Sequence, residues 1–127
     1  MKRLMLLFVV LFMLFGVTQV QDAVKPREVH VWTKDDSKAY ARDNILAWAD
    51  KQYKCLASLW GKESAWKHDA VNPQKVMGKN AGGIPQILGM SPTTPPTMQI
   101  DRGISYIEYR YVTPCKAWAF HKKNGWY

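Results

Sequence analysis

Leu59-Trp60-Gly61-Lys62-Glu63-Ser64-Ala65-Trp66 is the stretch on which the fold turns. Upstream of it, good helix formers run from Lys38 through Trp60 with no Gly or Pro before Gly61. Asp36-Ser37 reads as a helix N-cap. The spacing predicts one long helix, or two with a bend near Asp50. In the second half, Gln52, Leu56, Leu59, Trp60 and Glu63 share one face by i, i+3 and i+4 spacing. An acid therefore continues an apolar face close to where the helix ends. Burial, aromatic neighbours and the negative end of the helix dipole would each raise its pKa. A carboxyl group partly protonated near neutral pH is what a general acid needs. The alternative is an acid at a helix end that simply faces water.

Downstream, Asn72-Pro73, Gly78, Gly82-Gly83, Pro85, Gly89, Pro92 and Pro95-Pro96 punctuate the chain. Val71 to Pro96 accordingly reads as a loop region, of a length that is usually functional inside a compact domain. Gly83-Ile84-Pro85-Gln86-Ile87-Leu88 is too apolar for a solvated linker. A helix follows Thr97, with Ile100, Ile104, Ile107 and Tyr111 as its apolar stripe and Asp101 in its first turn. Thr113-Pro114 starts another, with Thr as cap and Pro at the first helical position. Trp118 and Ala119 are expected to pack inward from it, and Gly125 to stop it.

At the other end, Met1-Lys2-Arg3 is basic and Leu4 to Val17 is apolar, broken only by Gly16. This pattern reads as a signal peptide and is short for a membrane span. No A-x-A cleavage site occurs, so an uncleaved anchor stays open. Residues 1–20 are assigned to this segment, 21–36 to a spacer arm and 37–127 to one catalytic domain. Export makes a disulfide between Cys55 and Cys115 the expected state, with a free thiol as the alternative. It would close a loop of about 60 residues and stabilise by roughly 4 kcal/mol.

The 127-residue chain carries a formal net charge of +8, and 47% of its residues are hydrophobic. That excludes a disordered tail and a multidomain protein. Without residues 1–18 the charge is 16 minus 10, or +6. The basic residues are scattered, without the aromatic–basic interleaving of nucleic-acid binders, so an anionic cell wall is the favoured partner. His30, His68 and His121 show no metal spacing, and two Cys are too few for a zinc site. No metal or cofactor is expected.

Most of the acids have plain readings. Asp22, Glu28, Asp35, Asp36, Asp43 and Asp50 lie in the arm or on polar helix faces, and Glu108 lies off the Ile stripe. Glu63 stands apart, and its surroundings form an ordered series. Glu63-Ser64 at a helix end, Asn72-Pro73, Gly83-Ile84-Pro85-Gln86-Ile87, Gln99-Ile100-Asp101, Tyr106-Ile107, Arg110-Tyr111, Pro114-Cys115 and Gly125-Trp126-Tyr127 follow one another. The series resembles the soluble lytic transglycosylase-like branch of the lysozyme-like superfamily, and within it the small secreted bacterial and phage domains. The resemblance covers about Ser37 to Tyr127. Its pieces are common singly and fairly specific in order.

The resemblance implies a mainly α, small lysozyme-like helical domain with a cleft for peptidoglycan glycan strands, working as a monomer. It implies that Glu63 protonates the oxygen between N-acetylmuramic acid and N-acetylglucosamine. The resulting carboxylate then takes the proton of the muramyl C6 hydroxyl, leaving a 1,6-anhydro end. Ordinary glycosidases use two carboxyl groups, and this sequence offers one well-placed acid. By the same resemblance Ser64 orients that carboxyl, Gly83, Ile84 and Gln86 line the cleft, and Tyr106 reaches toward Glu63. Related domains carry Ser-Gly-Ala-Tyr before the Gly-Ile-Pro-Gln loop. Here Lys79-Asn80-Ala81-Gly82 stands there, without the aromatic, and Arg102 replaces a common Trp. Of Trp60, Trp66, Trp118 and Trp126, at most one or two are expected to face substrate. A hydrolytic muramidase, a non-catalytic wall-binding module and a cationic secreted protein that acts on membranes or nucleic acid are the rival readings.

Overall fold

The computed structural model describes residues 28–45 and 48–127. The apolar N-terminal segment and residues 21–27 of the spacer arm lie outside the described residues. Among those described, no helix is long and apolar enough to cross a membrane. Val31–Tyr127 forms one compact unit.

Its helices are α1 (Lys34–Asn44), α2 (Asp50–Ser64), α3 (Pro96–Tyr111) and α4 (Pro114–Asn124). Between α2 and α3 lie the strands β1 (Val71–Val76), β2 (Lys79–Gly82) and β3 (Ile87–Leu88). The domain is thus mainly helical, with a small antiparallel sheet of order β1-β2-β3.

The long helical stretch divides in two, with α2 starting at Asp50. The first cap sits three residues before the expected one. Thr33 accepts from the backbone N–H of Asp36, and the Asp36 carboxylate accepts from the backbone N–H of Thr33 at 2.7 Å. Asp36 is therefore the N3 partner in a capping box, not the cap. Buried Ser37 takes the Trp32 indole N–H at 2.7 Å, so the end of the expected arm belongs to the folded unit.

Helix α2 runs through Gly61, which is exposed, and ends at Ala65 in the left-handed region. Trp66 continues with φ 60°, which turns its indole back to donate to the Ala57 carbonyl at 3.1 Å. Leu56, Leu59 and Trp60 are fully buried and pack with Ile84, Ile100, Ile107 and Ala117. Gly103 lets α3 approach this cluster closely, since a Cβ there would lie 2.6 Å from the Trp60 ring.

The loop expected over Val71–Pro96 contains the sheet. Met77-Gly78, both at positive φ, makes the tight β1–β2 turn. All six residues of β1 are exposed, so the strand has no alternation of apolar and polar residues to reveal it. Pro73 within it is another feature that argues against a strand by sequence.

Helix α3 buries Ile100, Ile104 and Ile107 as expected, but its first turn holds no acid. Asp101 lies one turn further on and accepts from the Tyr40 hydroxyl. Thr113 caps α4 with Pro114 at its start, and Gly125 ends it at φ 78°. Ala117, not Ala119, is the buried alanine of α4, and Trp118 is half-buried against the core. Cys55 and Cys115 form the expected disulfide, joining α2 to α4 with Cα atoms 4.9 Å apart. Beside it the Cys115 N–H donates to the Gln52 side chain at 2.9 Å.

One buried polar side chain ties together the segments before, within and after the sheet. Gln99 accepts from the Ile84 N–H and donates to the carbonyls of His68 and Thr94, each at 2.8 Å. Gln99→Leu leaves these three backbone groups without that partner. At about 1–3 kcal/mol for each group left unsatisfied, the unfolding free energy should drop by roughly 3 kcal/mol or more. Chemical denaturation of the variant checks this.

Candidate active site

The end of α2, the sheet, α3 and the C-terminal segment enclose an open cavity of about 780 Å³. Glu63 enters it from the last turn of α2, Gln86 and Ile87 from the segment after β2, Tyr106 and Arg110 from α3, and Trp126 from beyond α4. Glu63 is the one carboxyl side chain among its described lining residues.

The Glu63 side chain is 16% exposed. Burial raises its pKa from 4.5 to about 7, so the carboxyl is protonated in part at neutral pH. Its Oε1 lies 2.8 Å from Nε2 of His121, which is itself 14% exposed. Burial, and then the positive charge of Lys62, lower the pKa of His121. Both shifts disfavour the doubly charged ion pair, so near neutrality the contact is a hydrogen bond between a neutral imidazole and a carboxyl that is protonated in part.

A raised carboxyl pKa has a consequence for stability. The folded state holds this proton more tightly than the unfolded chain, so the Glu63 contribution weakens as pH rises from about 4.5 to about 7, then levels. Glu63→Gln removes that slope. Denaturation curves should show the variant gaining on the wild type at about pH 8 and not at about pH 4.

The residues expected at the site divide into two groups. Glu63, Gln86 and Tyr106 line the cavity. Ser64, Gly83 and Ile84 lie behind it and build its wall. The Ser64 hydroxyl donates to the Ile84 carbonyl at 2.7 Å, so its proton is committed to the loop and does not orient the carboxyl. Gly83, at φ 75°, is buried where a Cβ would overlap the Gln99 side chain. Its small size thus serves packing, not sugar approach. Ile84 is fully buried core.

Gln86 holds a left-handed φ of 54°, uncommon for a residue with a Cβ. Its amide nitrogen donates to the carbonyls of Gly83 at 2.9 Å and Ala70 at 3.2 Å. Strain of this kind persists where surrounding contacts over-determine it, often at binding sites. Tyr106 accepts from Arg110 at 3.2 Å and meets Tyr127 edge-on at 5.6 Å. Arg110 also lies 5.2 Å from the Trp126 ring, which is half exposed at the cavity.

Tyr127 and His121, like Arg110, were not among the site residues expected. Tyr127 donates to the Pro85 carbonyl at 2.7 Å and accepts from the Trp60 indole at 2.9 Å, which ties the cavity floor to the core. His121 was considered only as a metal ligand. Its spacing of four from buried Ala117 is the sequence signal that places it on the inner face of α4. Among the described residues no cluster could hold a metal ion. Comparison with family profiles, with curated proteins and with solved structures finds no match to this chain.

Proposed function

We propose that the chain cleaves the glycan strands of peptidoglycan as a lytic transglycosylase, with Glu63 as its general acid and base. One observation carries the reading: a single carboxyl side chain, with a pKa of about 7, in an open cavity whose other lining side chains are aromatic, amide and aliphatic apart from Arg110. At neutral pH the protonated fraction can donate to a glycosidic oxygen, and the product carboxylate can accept the next proton.

A lone carboxyl suits this chemistry. Water is not consumed, so no second carboxylate is needed to activate it. Glu63 protonates the oxygen between N-acetylmuramic acid and N-acetylglucosamine. The substrate's N-acetyl group supports the developing positive charge at C1. The muramyl C6 hydroxyl attacks C1 and returns its proton to Glu63, which leaves a 1,6-anhydro end and restores the acid. Gln86 and Tyr106 would contact the strand. Trp126 supplies an aromatic face where β2 has none, and Arg110 a positive charge for an anionic polymer. Export through residues 1–20 would bring the enzyme to its substrate.

The test is the mass of the soluble fragments released from purified sacculi. The proposal expects 1,6-anhydromuropeptides. Fragments heavier by one water, with reducing ends, would make the protein a muramidase instead. Binding to sacculi without release of any fragment would leave only a wall-binding module.

A further inference from the structure

We propose that His121 is the positioning residue of Glu63, its Nε2–H donating to Oε1 so that Oε2 carries the transferable proton. Nε2 and Oε1 are 2.8 Å apart, and both side chains are largely shielded from water. A contact this short between shielded groups needs a proton in it. A proton on Oε1 would point at the imidazole and be unavailable for transfer. A proton on Nε2 satisfies Oε1 whether the carboxyl is neutral or ionised. It is the one arrangement that serves both halves of an acid–base cycle without rotation of the carboxyl.

The imidazole is itself held. Trp118 stacks on it, with centroids 5.6 Å apart and planes 20° apart. The Gly125 N–H bonds the His121 carbonyl at 2.7 Å, which closes α4 one turn later. The Cys55–Cys115 bond fixes α4 against α2, the helix that carries Glu63. The charged and titratable groups around the pair come from α2, α3, α4 and the C-terminal residue. Lys62 of α2 disfavours a second positive charge on His121. On α4, Lys122 lies against Trp118. Tyr106 and Arg110 of α3 line the cavity with Glu63. Tyr127 stays protonated, because burial and the Glu63 charge both oppose its ionisation.

The catalytic role rests on the glycan-cleaving reading, whereas the hydrogen bond does not. The experiment therefore has two readouts. The Glu63 side-chain carboxyl is followed by ¹³C NMR across pH in the wild type, His121→Gln and His121→Phe, and the same proteins digest sacculi. In the wild type Glu63 should titrate near neutrality, with a second, smaller inflection at lower pH where His121 takes a proton. Neither variant titrates at position 121, so both should lose that inflection. His121→Phe should lower kcat by about 10- to 100-fold with KM nearly unchanged, as expected for a misplaced acid. His121→Gln keeps an N–H donor and should recover most of the rate. A Glu63 curve that is the same in all three proteins overturns the proposal, and so does a Gln variant no more active than the Phe variant. Loss of the inflection in both variants, with a wild type that digests no sacculi, upholds the hydrogen bond and overturns the glycan reading instead.

Discussion

Glu63→Gln should lower the rate of glycan cleavage by on the order of 10² to 10⁴, the range that a positioned acid–base group contributes. The amide keeps the size of the carboxyl and can still meet His121, but it neither donates an acidic proton nor accepts one. No other carboxyl side chain lines the cavity among the described residues to take over the work. Binding to sacculi should persist, because Gln86, Tyr106, Arg110 and Trp126 are untouched. The variant should also fold, since it removes a group whose ionised form is disfavoured by burial. Sedimentation with sacculi and a denaturation curve separate this result from a loss of structure. The separation matters because a wall-binding module would keep its whole effect in the variant.

Removing the Cys55–Cys115 bond should have the largest effect on stability. The bond spans a sequence separation of 60, and constraining a loop of that length is worth roughly 4 kcal/mol in the unfolded chain. Small domains have only about 5–15 kcal/mol in all. The paired Cys55→Ser and Cys115→Ser variant, or the reduced wild type, should therefore be marginally folded at best. Guanidinium denaturation with and without reductant reads this directly. Activity should fall with the folded fraction, because the bond joins the helix carrying Glu63 to the helix carrying His121. Equal denaturation midpoints in the two conditions would remove the disulfide from the account of stability.

The helical part of the domain was legible because its signals are periodic. Leu56, Leu59 and Trp60 on α2, and Ile100, Ile104 and Ile107 on α3, repeat at helical spacing and are all buried. Glu63 could be found because it continues one of those faces. The cap and first residue of α4 could be read from Thr113-Pro114, whose chemistry is local. The sheet could not be read, because β1 is exposed along its whole length and carries no alternation. The start of α1 was displaced because Asp36 is a capping-box partner, and both roles use the same residue types.

The site followed the same division. Gln86 and Tyr106 reach the cavity, while Ser64, Gly83 and Ile84 support it from behind. Neighbours in sequence on a tight loop face opposite ways, and no periodicity tells which way each one turns. The partner of Glu63 was hidden for another reason. His121 lies 58 positions further along the chain, on a helix whose packing depends on a disulfide and on Ala117. Such a contact is a property of the tertiary structure alone.

Release of soluble muropeptides tests most directly whether Glu63 breaks a glycan bond. Wild type and Glu63→Gln, matched for folded protein, are incubated with purified sacculi at neutral pH, and the soluble muropeptides are quantified. The account predicts a steady release of muropeptides by the wild type and almost none by the variant, with both proteins bound to the sacculi. Equal release by the two proteins would contradict it.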